Sequence, residues 1–274
     1  EQLVFFEGGD RGTPGYFWEN SRHSGNIKKA LASGKIELFG MTWTGVGRGK
    51  GTFDHFKLWV DYALKFNPDT TFCLAMPWGR HPARYKIAEF EKAMKEAHQR
   101  DFHNLIDRLR KAYPNNEFFC IGYGQGAVEL KRLYHAGQLK DVDGQTKNRD
   151  KGTSGIFTDA LGHPDKIMIE LGQLIWLATI YDVDLEQYDY DPGFKLDLKA
   201  IATQVIADDD HGRVECAVVV LDARGVAGGA TGRNGGHLWC NPSSHFERES
   251  TAELLKFLEE REVDCDLQRH GAAA

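Results

Sequence analysis

Short apolar runs alternate with helical repeats through about the first two hundred residues, and that alternation leaves few folds open. Leu3-Val4-Phe5-Phe6, residues 36–43, residues 71–76 and Phe118-Phe119-Cys120-Ile121 read as strands: they are short, rich in β-formers and bounded by turn residues. Helical patterns lie between them. Ser24-Gly25-Asn26 caps a helix through Ala32 that Gly34 closes, and Phe56, Val60, Ala63 and Leu64 share one helical face. Ile87, Phe90, Met94, Ala97, Leu105 and Leu109 mark one long helix. Residues 128–134 form another, and an apolar helix runs to Tyr181 after a polar loop over residues 141–155. Nearly all-apolar strands, each followed by a helix, predict a parallel sheet covered on both faces. The expected architecture is a three-layer, flavodoxin-like α/β domain over residues 1–207. A short strand-loop-helix over residues 208–274 follows it, after the polar break Asp208-Asp209-Asp210-His211-Gly212-Arg213.

Composition narrows the function classes. A net charge of -6, with no basic run interleaved with aromatics, speaks against a nucleic-acid partner. No apolar stretch approaches the roughly 18 residues that would span a bilayer, so a soluble chain is expected. The five cysteines include no Cys-x-x-Cys pair, which argues against a zinc site and supports no disulfide framework. Cys73 and Cys120 fall inside strand runs and read as buried core thiols. The eleven histidines show no His-Glu-x-x-His spacing, so no metal is expected. The chain starts at Glu1 without a signal-like segment, which reads as a processed, trimmed or internal piece. Compartment and oligomeric state stay open.

The segment with most chemistry is Phe157-Thr158-Asp159-Ala160-Leu161-Gly162-His163-Pro164, just before the apolar helix. An imidazole that takes a nucleophile's proton needs a carboxylate to fix its tautomer and stabilise its cation. Asp159 and His163 supply that pair. A second turn, Gly122-Tyr123-Gly124-Gln125-Gly126-Ala127, has the strand-to-helix context of a nucleophile elbow, but its central residue is glycine and offers no attacking group. It reads as a tight strand-helix turn. Trp43, Trp78, His81 and Tyr123 would fall at the carboxyl ends of strands, where sheets of this kind bind ligands, and aromatics there suit a sugar ring or an acyl group.

Taken in order, residues 36–43, 59–69, Ile121-Gly122-Tyr123-Gly124 and 157–164 resemble the SGNH/GDSL hydrolase superfamily across residues 1–207. The resemblance implies a serine ester hydrolase acting on a small-molecule or carbohydrate ester, without a cofactor. It makes His163 the general base and Asp159 its orienter. The spacing departs from the family's Asp-x-x-His by one extra residue. The family's Gly-Asp-Ser-like turn has no counterpart here, and the first strand run matches the family's second strand. Thr42-Trp43-Thr44-Gly45 stands where the family's asparagine element is expected. Ser21 and Ser24, near His23, are the nearest upstream serines, but neither lies on a strand-to-helix turn.

The last part differs. Residues 218–237, with Val218-Val219-Val220-Leu221-Asp222-Ala223-Arg224 followed by a glycine cluster, resemble FAD-dependent oxidoreductases of the D-amino-acid and glycine oxidase type. That resemblance implies FAD contacts from Asp222, Arg224, Thr231, Gly232 and Arg233. The glycine turn that should precede Asp222 by about 20 residues is missing, since residues 200–207 contain no glycine. Three readings stay open: an ester hydrolase without a recognisable nucleophile, a non-catalytic carbohydrate-binding domain, and a fragment of a flavin oxidoreductase.

Overall fold

Side chains on the central strands alternate between two separate cores, which fixes the arrangement of everything else. The computed structural model describes residues 4–5, 9–19, 22–43, 49–148 and 150–213, all within one compact unit, Glu1–Val214. Three strands, β1 (Leu38–Thr42), β2 (Thr71–Ala75) and β3 (Phe118–Ile121), form a parallel sheet in the order β1-β2-β3. The register sets Phe39 beside Phe72 and Phe72 beside Phe118. Phe72, Leu74, Phe118 and Cys120 enter one core, whereas Cys73, Ala75, Phe119 and Ile121 enter the other. This is the period-two alternation of a strand buried on both sides.

Helices fill each core according to their apolar faces. On the first side are α1 (Pro14–Glu19), α2 (Ser24–Leu31), α3 (Phe53–Leu64), α4 (Ile87–Glu96) and α5 (Asn104–Ala112), which contribute Trp18, Leu31, Phe56, Trp59, Phe90 and Leu109 among others. The second side holds α6 (Tyr123–His135), α7 (Lys166–Tyr181) and α8 (Leu198–Ala207), with Leu130, Leu171, Ile175 and Ala202 buried. Burying one Phe or Leu side chain contributes about 1.5–3 kcal/mol. The exposed Lys57–Asp61 pair on α3 is worth well under about 1 kcal/mol, so the two covered sheet faces hold the domain and surface pairs do not.

The molecule is thus mixed α/β with a short parallel sheet, as the alternation predicts. Several details differ from expectation. Val4 and Phe5, the described part of the first expected strand, belong to no strand. The long helix expected over residues 87–109 is interrupted by a π-helical turn, Ala97–His103, between α4 and α5. The loop of residues 141–155 carries a second parallel pair, β4 (Gly144–Thr146) with β5 (Gly155–Phe157). Helix α6 starts as soon as β3 ends, because Gly124 lets the turn approach β2: a Cβ there would lie 2.7 Å from the Pro77 carbonyl carbon. No described helix is long and apolar enough to cross a membrane.

Two supports bear on the site. β3 ends the order of the sheet, and its outer side meets the segment after α8, where Cys120 N donates to the His211 carbonyl at 2.6 Å. Covering an edge this way removes an unpaired backbone ladder. From α6, the buried Lys131 ammonium donates to the carbonyls of Pro82 and Tyr85, each at 2.6 Å, and so holds the loop after β2. Burial lowers the Lys131 pKa. Lys131→Met keeps the aliphatic stem but orphans two carbonyls, and should cost about 1–3 kcal/mol in urea unfolding. A change within about 0.5 kcal/mol, typical of surface positions, would show that water replaces the ammonium.

Candidate functional site

The Asp159–His163 loop is built by its own backbone. Phe157, at the end of β5, forms an antiparallel bridge with Pro164, and Thr158 N donates to the His163 carbonyl at 2.7 Å. Between these closures the chain must reverse sharply. Gly162 makes that possible with φ +99°, a conformation L side chains rarely adopt. A Cβ on Gly162 would also sit 2.5 Å from Pro82 Cδ, so this position is doubly restricted.

Asp159 has two tasks, one per oxygen. Oδ1 accepts from the backbone N–H groups of Leu161, Gly162 and His163 at 3.0, 3.1 and 3.3 Å, and thereby shapes the loop. Oδ2 meets His163 Nδ1 at 2.6 Å. With Nδ1 as donor to the carboxylate, Nε2 carries the free lone pair of a neutral imidazole. The His163 side chain is 67% exposed, and among the described residues no group is hydrogen-bonded to Nε2. The extra residue relative to Asp-x-x-His therefore does not separate the pair, because the Gly162 turn absorbs it.

Two of the residues expected as pocket lining, Trp78 and His81, hydrogen-bond to this loop. Trp78 Nε1 donates to the Gly162 carbonyl at 2.7 Å, and its ring meets Phe157 at 5.8 Å and Tyr123, edge-on, at 5.8 Å. His81 contacts the loop twice: its N–H donates to the Leu161 carbonyl at 3.1 Å, and Nδ1 lies 2.8 Å from the Ala160 carbonyl. His81 itself holds φ 56°, an uncommon conformation for a residue with a Cβ. Tyr123 packs on Trp176, and burial pushes its phenol up to about 12 against a hydrogen bond with Thr42. Trp43 packs against the first core with its indole N–H buried and without a hydrogen-bond partner among the described residues. Trp78, His81 and Tyr123 thus form one connected patch with Asp159 and His163.

Ser24 donates its hydroxyl to the Trp18 carbonyl at 3.0 Å and makes no described contact with His163. Ser21, Thr44 and Gly45 lie outside the described residues, as do Asp222, Arg224, Thr231, Gly232 and Arg233 of the flavin-like stretch.

A second polar centre had no signal in the sequence. His98, His103, Cys120 and Asp209 converge with their donor atoms all within 4.8 Å of one another, and all four are buried. Asp209 Oδ2 lies 3.2 Å from His98 Nε2, Oδ1 lies 3.0 Å from His103 Nε2, and Cys120 Sγ lies 3.6 Å from His98 Nε2. Burial would raise the Asp209 carboxyl, but the hydrogen bonds of His103 and His98 outweigh it and hold the group well below the usual carboxylate range. The Cys120 thiol is pushed well above its ordinary value, first by burial and then by the Asp209 charge. Positions 98, 103, 120 and 209 share no local spacing, and the polar break at residues 208–213 gave no hint that Asp209 turns inward.

The exposed pair has a measurable consequence. The hydrogen bond from His163 is the main cause that lowers the Asp159 carboxyl from 3.8 to about 2. A depressed carboxyl contributes stability above its unfolded value, and that contribution is lost as pH falls through the folded one. The ¹³C carboxyl shift of Asp159 should therefore titrate near about 2 and move back towards 3.8 in His163→Ala. A wild-type midpoint already near 3.8 would mean that the pair does not persist in solution.

Comparison with family models, with curated proteins and with solved structures yields no match to this chain.

Proposed function

We propose that the domain is an SGNH-like serine ester hydrolase with a three-layer, flavodoxin-like sheet. The observation that carries this reading is the Asp159–His163 pair, closed at 2.6 Å with the other imidazole nitrogen directed away from the carboxylate. Strand order supports it as well. A flavodoxin-like order of 2-1-3-4-5 ends in three consecutive neighbours, and β1-β2-β3 are three consecutive parallel neighbours.

In the proposed reaction His163 Nε2 accepts the proton of a serine hydroxyl as its oxygen attacks the ester carbonyl. The imidazolium then gives that proton to the departing alcohol, leaving an acyl-serine. Water attacks next, again through Nε2, and releases the acid. Asp159 keeps Nδ1 protonated throughout and stabilises the cation. Trp78 and His81 keep the loop in place, and the aromatic patch of Trp78 and Tyr123 favours a carbohydrate ester over a charged substrate.

That no described hydroxyl reaches Nε2 favours a second reading, a domain that binds carbohydrate and hydrolyses nothing. One experiment separates them. The purified chain is treated with a fluorophosphonate probe and weighed intact, then digested to map the adduct. The hydrolase reading expects one adduct on a serine. In His163→Ala the adduct should be lost and turnover of an aryl acetate should fall by about 10²–10⁴-fold. Because the imidazole is 67% exposed, the thermal midpoint should fall only slightly, far too little for unfolding to explain the loss. An unlabelled wild type that still binds oligosaccharide would establish the binding reading instead.

A further inference from the structure

The buried centre at β3 has the composition and geometry of a metal site. We propose that His98, His103, Cys120 and Asp209 bind one Zn²⁺ and that this ion pins the segment after α8 to the edge of β3.

The donor set is two imidazoles, a thiol and a carboxylate, borderline-soft nitrogen and sulfur ligands of the kind that select zinc over calcium or magnesium. With metal–ligand bonds of about 2.0–2.3 Å, the edges of a tetrahedron measure about 3.3–3.7 Å. The four donor atoms lie within 4.8 Å of one another. Separations of 3.2 Å (His98 to Asp209 Oδ2), 3.0 Å (His103 to Asp209 Oδ1) and 3.6 Å (Cys120 to His98) are near these edges. Side-chain shifts that bring one Asp209 oxygen to both imidazoles complete the shell. On binding, the thiol releases its proton to solvent. Thiolate and carboxylate then cancel the charge of the ion, and the buried site becomes neutral.

Local structure is arranged towards the same point. In an α-helix, residues five apart lie about 140° apart around the axis, so His98 and His103 would face different ways. The π-helical turn Ala97–His103 closes i to i+5 and brings both imidazoles to one side. Such turns are rare and are frequently found at functional sites. Gly122 leaves room beside the ligands: a Cβ there would lie 2.8 Å from Asp209 Oδ2 and 3.3 Å from His98 Nε2.

An outer shell is also present. Gln125 meets His98 Nδ1 at 3.1 Å, and a half-turn of its amide places Oε1 to accept from Nδ1–H, which frees Nε2 for the metal. His211 donates its backbone N–H to Asp209 Oδ1 at 3.0 Å, and its ring stacks on His103 at 3.9 Å. A metal-free network in which Asp209 merely accepts from two imidazoles uses the same residues, so the test must detect the sulfur ligand.

The full chain, stripped with chelator, is titrated with Co²⁺ as a spectroscopic stand-in for Zn²⁺. The proposal expects one equivalent bound, with the intense ligand-field bands of tetrahedral cobalt and a thiolate charge-transfer band, all bleached by Zn²⁺. In Cys120→Ser the charge-transfer band should vanish although Cys73, Cys216, Cys240 and Cys265 remain. Affinity should drop by more than the roughly 10- to 100-fold that loss of an outer-shell partner costs. If Cys120→Ser does not fold, His103→Gln should keep the charge-transfer band but lose affinity by the same margin. A spectrum that stays that of hydrated cobalt, a charge-transfer band that survives Cys120→Ser, or a His103→Gln affinity equal to wild type would overturn the assignment.

Discussion

Burial of β2 and β3 on both faces is the constraint from which the remaining geometry follows. A strand with two covered faces can carry only apolar side chains along its length, so polar chemistry is displaced to its ends and its edge. At the carboxyl end of β2 the chain leaves through Met76, Pro77 and Trp78. At that of β3 it passes at once into Gly122 and Tyr123. Both exits converge on the same small region because parallel strands present the same end together. The Asp159–His163 loop is held against this region by Trp78 and His81, while the second polar centre forms on the outer side of β3.

The loop carrying His163 is exposed, yet it is tied at many points. Asp159 binds three of its amides, Trp78 and His81 bind its carbonyls, and Pro82 fills the space against Gly162. Lys131 in turn anchors the segment of His81 and Pro82 to α6. An imidazole on an exposed loop is thus supported by a chain of contacts that ends in the core. Such support holds the imidazole in one geometry, which an unsupported surface histidine would adopt only at a cost in rotamer entropy.

Much of this was legible from residues alone, and the failures have physical causes. The strands of the central sheet and the helices α2, α3 and α7 follow periodicity closely, because burial on one or both faces writes itself directly into apolar spacing. Residues 87–109 also read as helix, but the π turn did not, since an inserted residue shifts the helical phase only slightly between Met94 and Leu105 while His98 and His103 count as polar. Strands β4 and β5 are three residues each and show no alternation to read. The start of α6 was hidden by its own glycines, which look like a turn but are required for close approach to Pro77 and Leu171. The pair Asp159 and His163 lies within one loop and was visible. The cluster at Cys120 draws on four distant positions, and only the assembled sheet edge brings them together.

The two polar centres meet at the first turn of α6. Gly122, its N-cap, borders Asp209 and His98, and Gln125 touches His98 from the same turn. Tyr123, between them, faces the other way onto Trp78 and Trp176, and Gly124 N donates to the Met76 carbonyl at 2.8 Å. Four consecutive residues therefore connect the buried cluster with the support of the His163 loop. A packed turn with so many fixed contacts cannot shift at one end only, because interiors at crystal-like density transmit displacement and do not absorb it. The same turn borders Asp209 and His98 on one side and, through Tyr123, Trp78 and its hydrogen bond to the Gly162 carbonyl on the other. The edge of β3 is thus both a structural closure and the underside of the candidate active site.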